Sequence, residues 1–168
     1  MSVRGDDAAP VNHRFSLRMG LGEIVPDPWI EDGEGQRIFQ VDEMARARLD
    51  AFILRDLHGN EVAKLRENLS GQDATVIERE GAALATVRRA RTGLRHRFFI
   101  DVVDGVTLEI HGHVRGHKYE IRRGADVVAT VSTEWFRGHD RYGVEVAAGE
   151  DEAMVLAATV AIEDLENL

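Results

Sequence analysis

Cysteine is absent from the 168-residue sequence, which excludes a disulfide framework and any metal site built on thiolates. Long apolar runs are absent as well, because the longest one lies near the C-terminus and is far too short to span a bilayer. The first residues, MSVRGDDAAPVNHRF, are polar and carry acids, so they lack the apolar core of a signal peptide. We therefore expect a cytoplasmic protein without a transmembrane segment.

Basic residues are also fewer than acidic ones. The chain carries 21 lysines and arginines against 30 acids, a net charge of −9. An acidic protein repels the phosphate backbone, so we expect no nucleic-acid partner. The sequence has no phosphate-binding loop of the G-x-x-x-x-G-K type, and no residue pattern points to a bound cofactor. We therefore expect no cofactor.

A hairpin-like pattern recurs along the chain. An apolar run enters a turn that contains an acid and a glycine, and a second apolar run leaves it. Glycine supplies the positive φ that such turns require. The copies are IEDGEGQRIFQV (30–41), LRDLHGNEVAKL (54–65) and VIEREGAALATV (76–87), with more distant ones at 98–110 and 119–131. Short strands joined by tight turns predict an antiparallel barrel or sandwich.

Acids occupy equivalent turn positions in the first three copies, namely Asp32, Asp56 and Glu78. Together they resemble a set of catalytic carboxylates. Each belongs to its own hairpin, however, and an acid in a turn commonly accepts hydrogen bonds from the turn backbone. We expect each of the three to do so.

The C-terminal segment DEAMVLAATVAIEDLENL (151–168) predicts a helix that is buried on all sides. Asp151 stands at a favourable N-cap position, and Glu152 follows in the first turn. From Ala153 to Ile162 the only polar residue is Thr159, so the helix shows no charged face. In a β protein, the interior of a closed barrel can surround a helix in this way.

One segment gives conflicting signals. DEMARARL (42–49) contains good helix formers and has weak β-propensity. It lies between two hairpins, however, in a space that one crossing strand would fill. We follow the repeat and predict a strand there.

These features resemble the LURP-one-related family of the tubby C-terminal-like and scramblase-like superfamily. The resemblance covers residues 15–168 and implies an antiparallel closed β-barrel of about twelve strands that encloses a buried apolar C-terminal α-helix, with no known catalytic residues. It implies one tubby C-terminal-like domain over 15–168, and we expect residues 1–14 to form a flexible N-terminal tail. The stretches that carry it are FILRDLHGNEVAKL (52–65), LEIHGHVRGHKYEIRRGADVVATVSTEWFRGHDRYGVEV (108–146) and DEAMVLAATVAIEDL (151–165).

The resemblance suggests lipid binding without assigning residues to it. Tubby domains bind phosphoinositides through basic residues on the barrel surface, and scramblases interact with lipids with the help of palmitoylated cysteines. Since this chain has no cysteine, scramblase behaviour does not carry over. Lipid binding would place the protein peripherally at the membrane.

A run without acids, from Gly81 to Ile100, supplies a candidate anion site. Such a local positive patch on an acidic protein can hold phosphate, because guanidinium donates two hydrogen bonds at once. The alternative is a solvated hairpin that happens to be rich in arginine. The candidate residues for an anion or lipid headgroup are Arg88, Arg89, Arg91, Arg95 and Arg97.

Three histidines in HGHVRGHK (111–118) form a weaker candidate site, for a metal. His111 and His113 share one face of a predicted strand, and His117 follows after a glycine, a spacing that permits metal binding. The alternative is that these are exposed histidines on a polar strand face, and we favour it.

Three functions remain open. The first is a non-enzymatic binding or scaffold domain with an anion or lipid headgroup at the arginines. The second is a metal-assisted enzyme that uses the three histidines. The third is a structural module that contacts a protein partner. The sequence leaves the oligomeric state open.

Overall fold

The computed structural model describes residues 11–18, 29–42, 51–67, 73–92, 95–136 and 141–166 of the chain. Within these residues, twelve antiparallel strands form a closed barrel around one helix, α1 (Glu152–Glu166). This confirms the predicted fold. The strands are β1 (His13–Arg18), β2 (Trp29–Asp32), β3 (Arg37–Asp42), β4 (Ala51–Asp56), β5 (Glu61–Glu67), β6 (Ala74–Arg79), β7 (Ala82–Thr92), β8 (Arg95–Val102), β9 (Thr107–His113), β10 (Lys118–Arg123), β11 (Asp126–Ser132) and β12 (Arg141–Val146).

Consecutive strands are neighbours throughout the barrel, and β1 closes it by pairing with β12. Side chains alternate between the two faces of each strand, so every strand sends apolar residues inward. These inward residues surround α1 and form the core. One buried example from each strand, in order, is Phe15, Ile30, Val41, Leu54, Leu65, Ile77, Val87, Ile100, Leu108, Ile121, Val131 and Val144.

The turns of the β2–β3 and β4–β5 hairpins are structural copies of each other. One carboxylate oxygen of Asp32 accepts two backbone N–H groups of its turn at 2.9 Å, and Asp56 does the same. Gly35 and Gly59 have φ values of 80° and 82°. The prediction that these two acids bond their own turns is confirmed, and the repeat is visible in the backbone.

Glu78 behaves differently from the other two turn acids. Its carboxylate lies 3.7 Å from the guanidinium of Arg66 on the neighbouring strand. Gly81 has a φ of 79°, as in the other two hairpins, so the glycine of the repeat is kept while the acid bonds elsewhere.

Helix α1 begins as the sequence predicts. The Asp151 carboxylate accepts a hydrogen bond from the backbone N–H of Met154 at 3.1 Å, which is the N-cap contact. Arg79 of β6 donates two further hydrogen bonds to the same carboxylate, at 2.8 and 2.9 Å, and these lower the pKa of Asp151. Leu156, in the middle of the helix, is fully buried.

Two predicted segments, the N-terminal tail and the strand at 42–49, are described by the structure only in part. Strand β1 begins at His13, two residues inside the predicted N-terminal tail. The predicted strand at 42–49 lies outside the described residues after Asp42, where β3 ends.

Candidate functional site

The β7–β8 hairpin positions the five candidate arginines. Its register runs from Ala85 opposite Val102 to Thr92 opposite Arg95. Successive residues of a strand face opposite sides of the barrel, so Arg88 and Arg89 cannot contribute to one surface. The structure divides the predicted set instead of bringing it together.

Arg89 faces the interior. Its side chain is 3% exposed. It lies 2.9 Å from Asp73 and donates a hydrogen bond to the backbone carbonyl of Leu165, in the last turn of α1. A cation at this end of a helix satisfies carbonyls that lack partners within the helix and complements the helix dipole. Arg89 therefore caps the central helix and is not available to a ligand at the surface.

Arg88 and Arg97 lie on the outer face, both beside one aromatic ring. Their guanidinium carbons lie 4.3 and 5.4 Å from the centre of the Phe99 ring. Arg88 also donates to the Asp101 carboxylate at 2.7 Å. Partial burial alone would raise the pKa of Asp101, but hydrogen bonds from Arg88 and Thr107 outweigh it, and that pKa is lowered. These residues form the outer arginine surface, which we define as Arg88, Arg97 and Phe99.

The strand register gives the backbone positions of the remaining two arginines. Arg91 is opposite His96, and Arg95 is opposite Thr92. Both stand near the tip of the β7–β8 hairpin.

The three predicted metal ligands do not converge. His111 lies on the outer face with its Nε2 3.2 Å from Glu109. His117 lies in the β9–β10 turn, and its Nδ1 is 2.8 Å from Glu163 of the central helix. Over the described part of the chain, no three histidine or carboxylate side chains are close enough together to hold a metal ion.

His117 belongs to a buried polar cluster at the end of the barrel. Its ring stacks on that of Tyr142, with centroids 5.1 Å apart and planes 10° from parallel. Tyr119 donates a hydrogen bond to the other oxygen of Glu163 at 2.9 Å. The contact between His117 and Glu163 has ion-pair distance without hydrogen-bond alignment. Glu163 is 5% exposed, so this carboxylate is held inside the barrel by His117 of the β9–β10 turn and Tyr119 of β10.

The cluster changes the acidity of its members. The Glu163 carboxylate raises the pKa of His117, and the partial burial of the ring opposes this. Burial, reinforced by the same carboxylate, raises the pKa values of Tyr119 and Tyr142 well above the usual range. Sequence reasoning missed this cluster. The sequence contained one indication of the cluster, because Glu163 is the first charged residue after the apolar run of the helix.

A cavity between β8 and β9 was also missed. It has a volume of about 370 Å³ and lies against His96, His113, Arg115 and Glu166. Glu166 reaches His96 with one oxygen at 3.6 Å and Arg115 with the other at 3.4 Å. These residues are remote in sequence, so no local pattern could have indicated the cavity.

Comparison with known proteins agrees with this architecture. The family model described as LURP-one-related matches residues 25–164. The chain belongs to the LURP-one-related family. This confirms the resemblance found in the sequence. The match takes in the β2–β12 barrel and most of α1, and with them the β7–β8 hairpin and the polar cluster.

A solved structure shows the same fold. The X-ray structure of a protein from Arabidopsis thaliana is similar, with a TM-score of 0.70 and 23% sequence identity, over 95% of this chain and 94% of that one. No curated protein matches the sequence. Among the described residues of this LURP-one-related domain, no helix is long and apolar enough to cross a membrane.

Proposed function

We propose that this LURP-one-related domain is a non-enzymatic binding domain whose ligand is an anion. The anion is a phosphate-bearing group, such as a lipid headgroup, held on the outer arginine surface. In this proposal the protein is cytoplasmic and associates peripherally with the membrane.

The observation that carries the proposal is the state of Arg97. Its side chain is exposed, and no carboxylate lies within ion-pair distance of it among the residues that the structure describes. Its guanidinium lies beside the Phe99 ring, which leaves N–H donors free to face a ligand. A phosphate oxygen is the acceptor that best fits such a planar donor.

Arg88 adds a second cation to the same surface. It already bonds Asp101, but both side chains are more than two-fifths exposed, so the pair contributes little to stability and can rearrange. An anion that contacts both Arg88 and Arg97 would lie beside Phe99.

Liposome flotation tests the proposal. Vesicles of phosphatidylcholine with a phosphoinositide should carry the protein upward at low salt, and binding should weaken steeply as salt is raised. The double variant Arg88→Glu with Arg97→Glu should lose binding. A matched control, Arg37→Glu with Arg66→Glu on β3 and β5, makes the same change in net charge. It should keep most of the binding, because only the general loss of positive charge weakens it.

Two further arms identify the source of the phosphate. Binding of soluble inositol trisphosphate without binding of vesicles would indicate a free phosphate ligand in place of a lipid. Failure of both ligands to bind at low salt would contradict the anion site. The protein-interaction module would then be the better account of this domain.

A further inference from the structure

The β8–β9 pair is the place where the barrel wall opens. Pairing between these strands covers Asp101 to Phe99 on β8 and Thr107 to Glu109 on β9. Both strands continue past these positions, within the unbroken described stretch 95–136. Residues 95–98 of β8 and 110–113 of β9 face each other without strand pairing. We call the space between them the β8–β9 cleft.

Each strand of the cleft is fully paired on its other side. Residues 95–98 of β8 pair with β7, and residues 110–113 of β9 pair with β10. Within the residues that the structure describes, their other edges meet only the cleft. A strand edge with free N–H and C=O groups is a template for another strand.

The backbone at the cleft is accessible to solvent. If the β8–β9 register continued, His96 would lie opposite Gly112. Both residues are exposed, although the His96 side chain alone is only 31% exposed and Gly112 has no side chain. Much of this exposed surface is therefore backbone, which a closed barrel wall would cover.

Gly112 explains why the strands separate. It has a φ of 127°, and a Cβ atom there would lie 2.6 Å from the carbonyl oxygen of Lys118 and 2.8 Å from the Cα of Tyr119. The backbone of β9 thus presses against β10 at this point, closer than any other residue type permits. Strand β9 thus stays paired with β10 where it is no longer paired with β8, and the close approach at Gly112 keeps it on the β10 side of the cleft.

The cleft has an apolar inner side, and Arg97 supplies positive charge at its outer rim. Phe98 and Val114 are buried beneath it. Arg97 and His111, which are exposed, stand at its outer rim. Glu166, the last residue of α1, contacts His96 and Arg115 and forms the side of the cleft that faces the helix.

We propose that the β8–β9 cleft binds an extended peptide segment of a partner protein, in which apolar and acidic residues alternate. The segment pairs with the free strand edges by hydrogen bonds of the backbone, as in β-strand addition. Its alternate side chains face opposite ways. The apolar ones contact Phe98 and Val114, and the acidic ones meet Arg97 and His111. This inference goes beyond the anion proposal, since the ligand is a polypeptide and carries no phosphate.

A capped peptide of about eight alternating valines and glutamates, which is within the usual range of strand lengths, is the probe. Added to the full ¹⁵N-labelled chain, it should shift the backbone amide signals of residues 95–98 and 110–113. The same peptide N-methylated at alternate residues has lost backbone donors and should bind roughly tenfold more weakly or not at all. A version with lysine in place of glutamate should also bind more weakly.

A blocking experiment locates the site. Since the chain has no cysteine, His111→Cys can be labelled with a bulky maleimide at a single position. Labelling there should abolish binding of the fluorescent peptide. The control is Leu57→Cys with the same label. Leu57 is 60% exposed and lies in the β4–β5 turn, which does not belong to the cleft. The labelled control should bind as the unlabelled protein does.

The proposal is overturned by several outcomes. Amide shifts outside the cleft, equal binding of the N-methylated or lysine peptide, or unchanged binding after labelling at position 111 would each contradict it, as would no binding by any of the peptides. Vesicle flotation contains no peptide, so the anion proposal and this one fail in separate assays.

Discussion

Arg89 of β7 donates a hydrogen bond to the carbonyl oxygen of Leu165, so a residue predicted to bind a ligand caps the central helix. The guanidinium also pairs with Asp73, which precedes β6. One side chain thereby connects the barrel wall to the last turn of the helix. We therefore expect the stability of this LURP-one-related domain to depend on it.

Arg89→Met should destabilise the domain by about 2–3 kcal/mol, because it leaves a helix carbonyl and the Asp73 carboxylate without their partner. Arg97→Met is the control, since it removes an exposed arginine and should cost less than about 1 kcal/mol. Urea denaturation of both variants measures the difference. Equal stabilities would show that the Arg89 contact does not hold the helix.

Burial of the helix gives a second prediction. Leu156 is 0% exposed at the centre of the barrel, so Leu156→Asp would bury an unpaired charge at a cost of several kcal/mol and should prevent folding. Leu57→Asp changes a 60% exposed turn residue in the same way and should fold normally. Circular dichroism and gel filtration compare the two. A cooperatively folding Leu156→Asp protein is incompatible with an enclosed helix.

Local patterns in the sequence predicted much of this fold. The hairpin turns depend on residues within five positions of one another, as at Asp32 and Asp56, so a short motif contains all of their physics. The buried helix was equally visible, because its apolar run has no charged face. That helix also pointed to a closed barrel around it, but the number of strands came from the family resemblance, since strand pairing is not encoded in any one segment.

The direction of the arginines was harder to predict. Val87 is buried, and Arg89 stands two residues further along the same strand, so alternation places both on the inner face. The alternation of Val87 and Arg89 could therefore be seen in the sequence. A charged residue is seldom found inside a core without a partner, and its partner, the Leu165 carbonyl, lies 76 residues away in the chain. Contacts at such separation appear only when the register is known.

Gly112 supplies a third prediction. Gly112→Ala should destabilise the domain by at least about 2 kcal/mol, because its φ of 127° is strained for alanine and the added Cβ would lie 2.6 Å from a backbone oxygen. Gly116→Ala, in the adjoining turn, meets no atom nearer than 3.8 Å and should cost less than about 1 kcal/mol. Thermal or urea denaturation ranks the two. Comparable losses would mean that the close approach of β9 to β10 is not a constraint.

The histidines lead to a fourth prediction, about metal content. Because His111 lies beside Glu109 and His117 contacts Glu163, the three sequence neighbours present no common site. Protein purified without a histidine tag should hold no near-equimolar transition metal by elemental analysis. Finding such metal, and losing it on His111→Ala with His113→Ala, would support the metal-assisted enzyme instead.

The fifth prediction concerns pH. The Glu163 carboxylate raises the pKa of His117, so the folded protein holds that proton more tightly than the unfolded chain does. The resulting stability is fully present below the unfolded pKa of about 6.5 and is lost as pH rises through the higher folded value. His117→Asn removes the titrating group. Asparagine also tolerates the φ of 52° found at this position.

The difference in free energy of unfolding between the unaltered protein and His117→Asn should therefore be largest near the acidic end of this range and shrink as pH rises. Urea denaturation at a series of pH values measures it. Repeating the comparison in a Glu163→Gln background isolates the cause, because the amide still accepts from Tyr119 but carries no charge. There the decrease with pH should disappear, and because burial alone lowers the pKa of His117, the difference should stay level or rise slightly with pH. A difference that grows with pH in the original background would mean that His117 is held neutral in the folded protein, opposite to the effect of a charged Glu163 beside it.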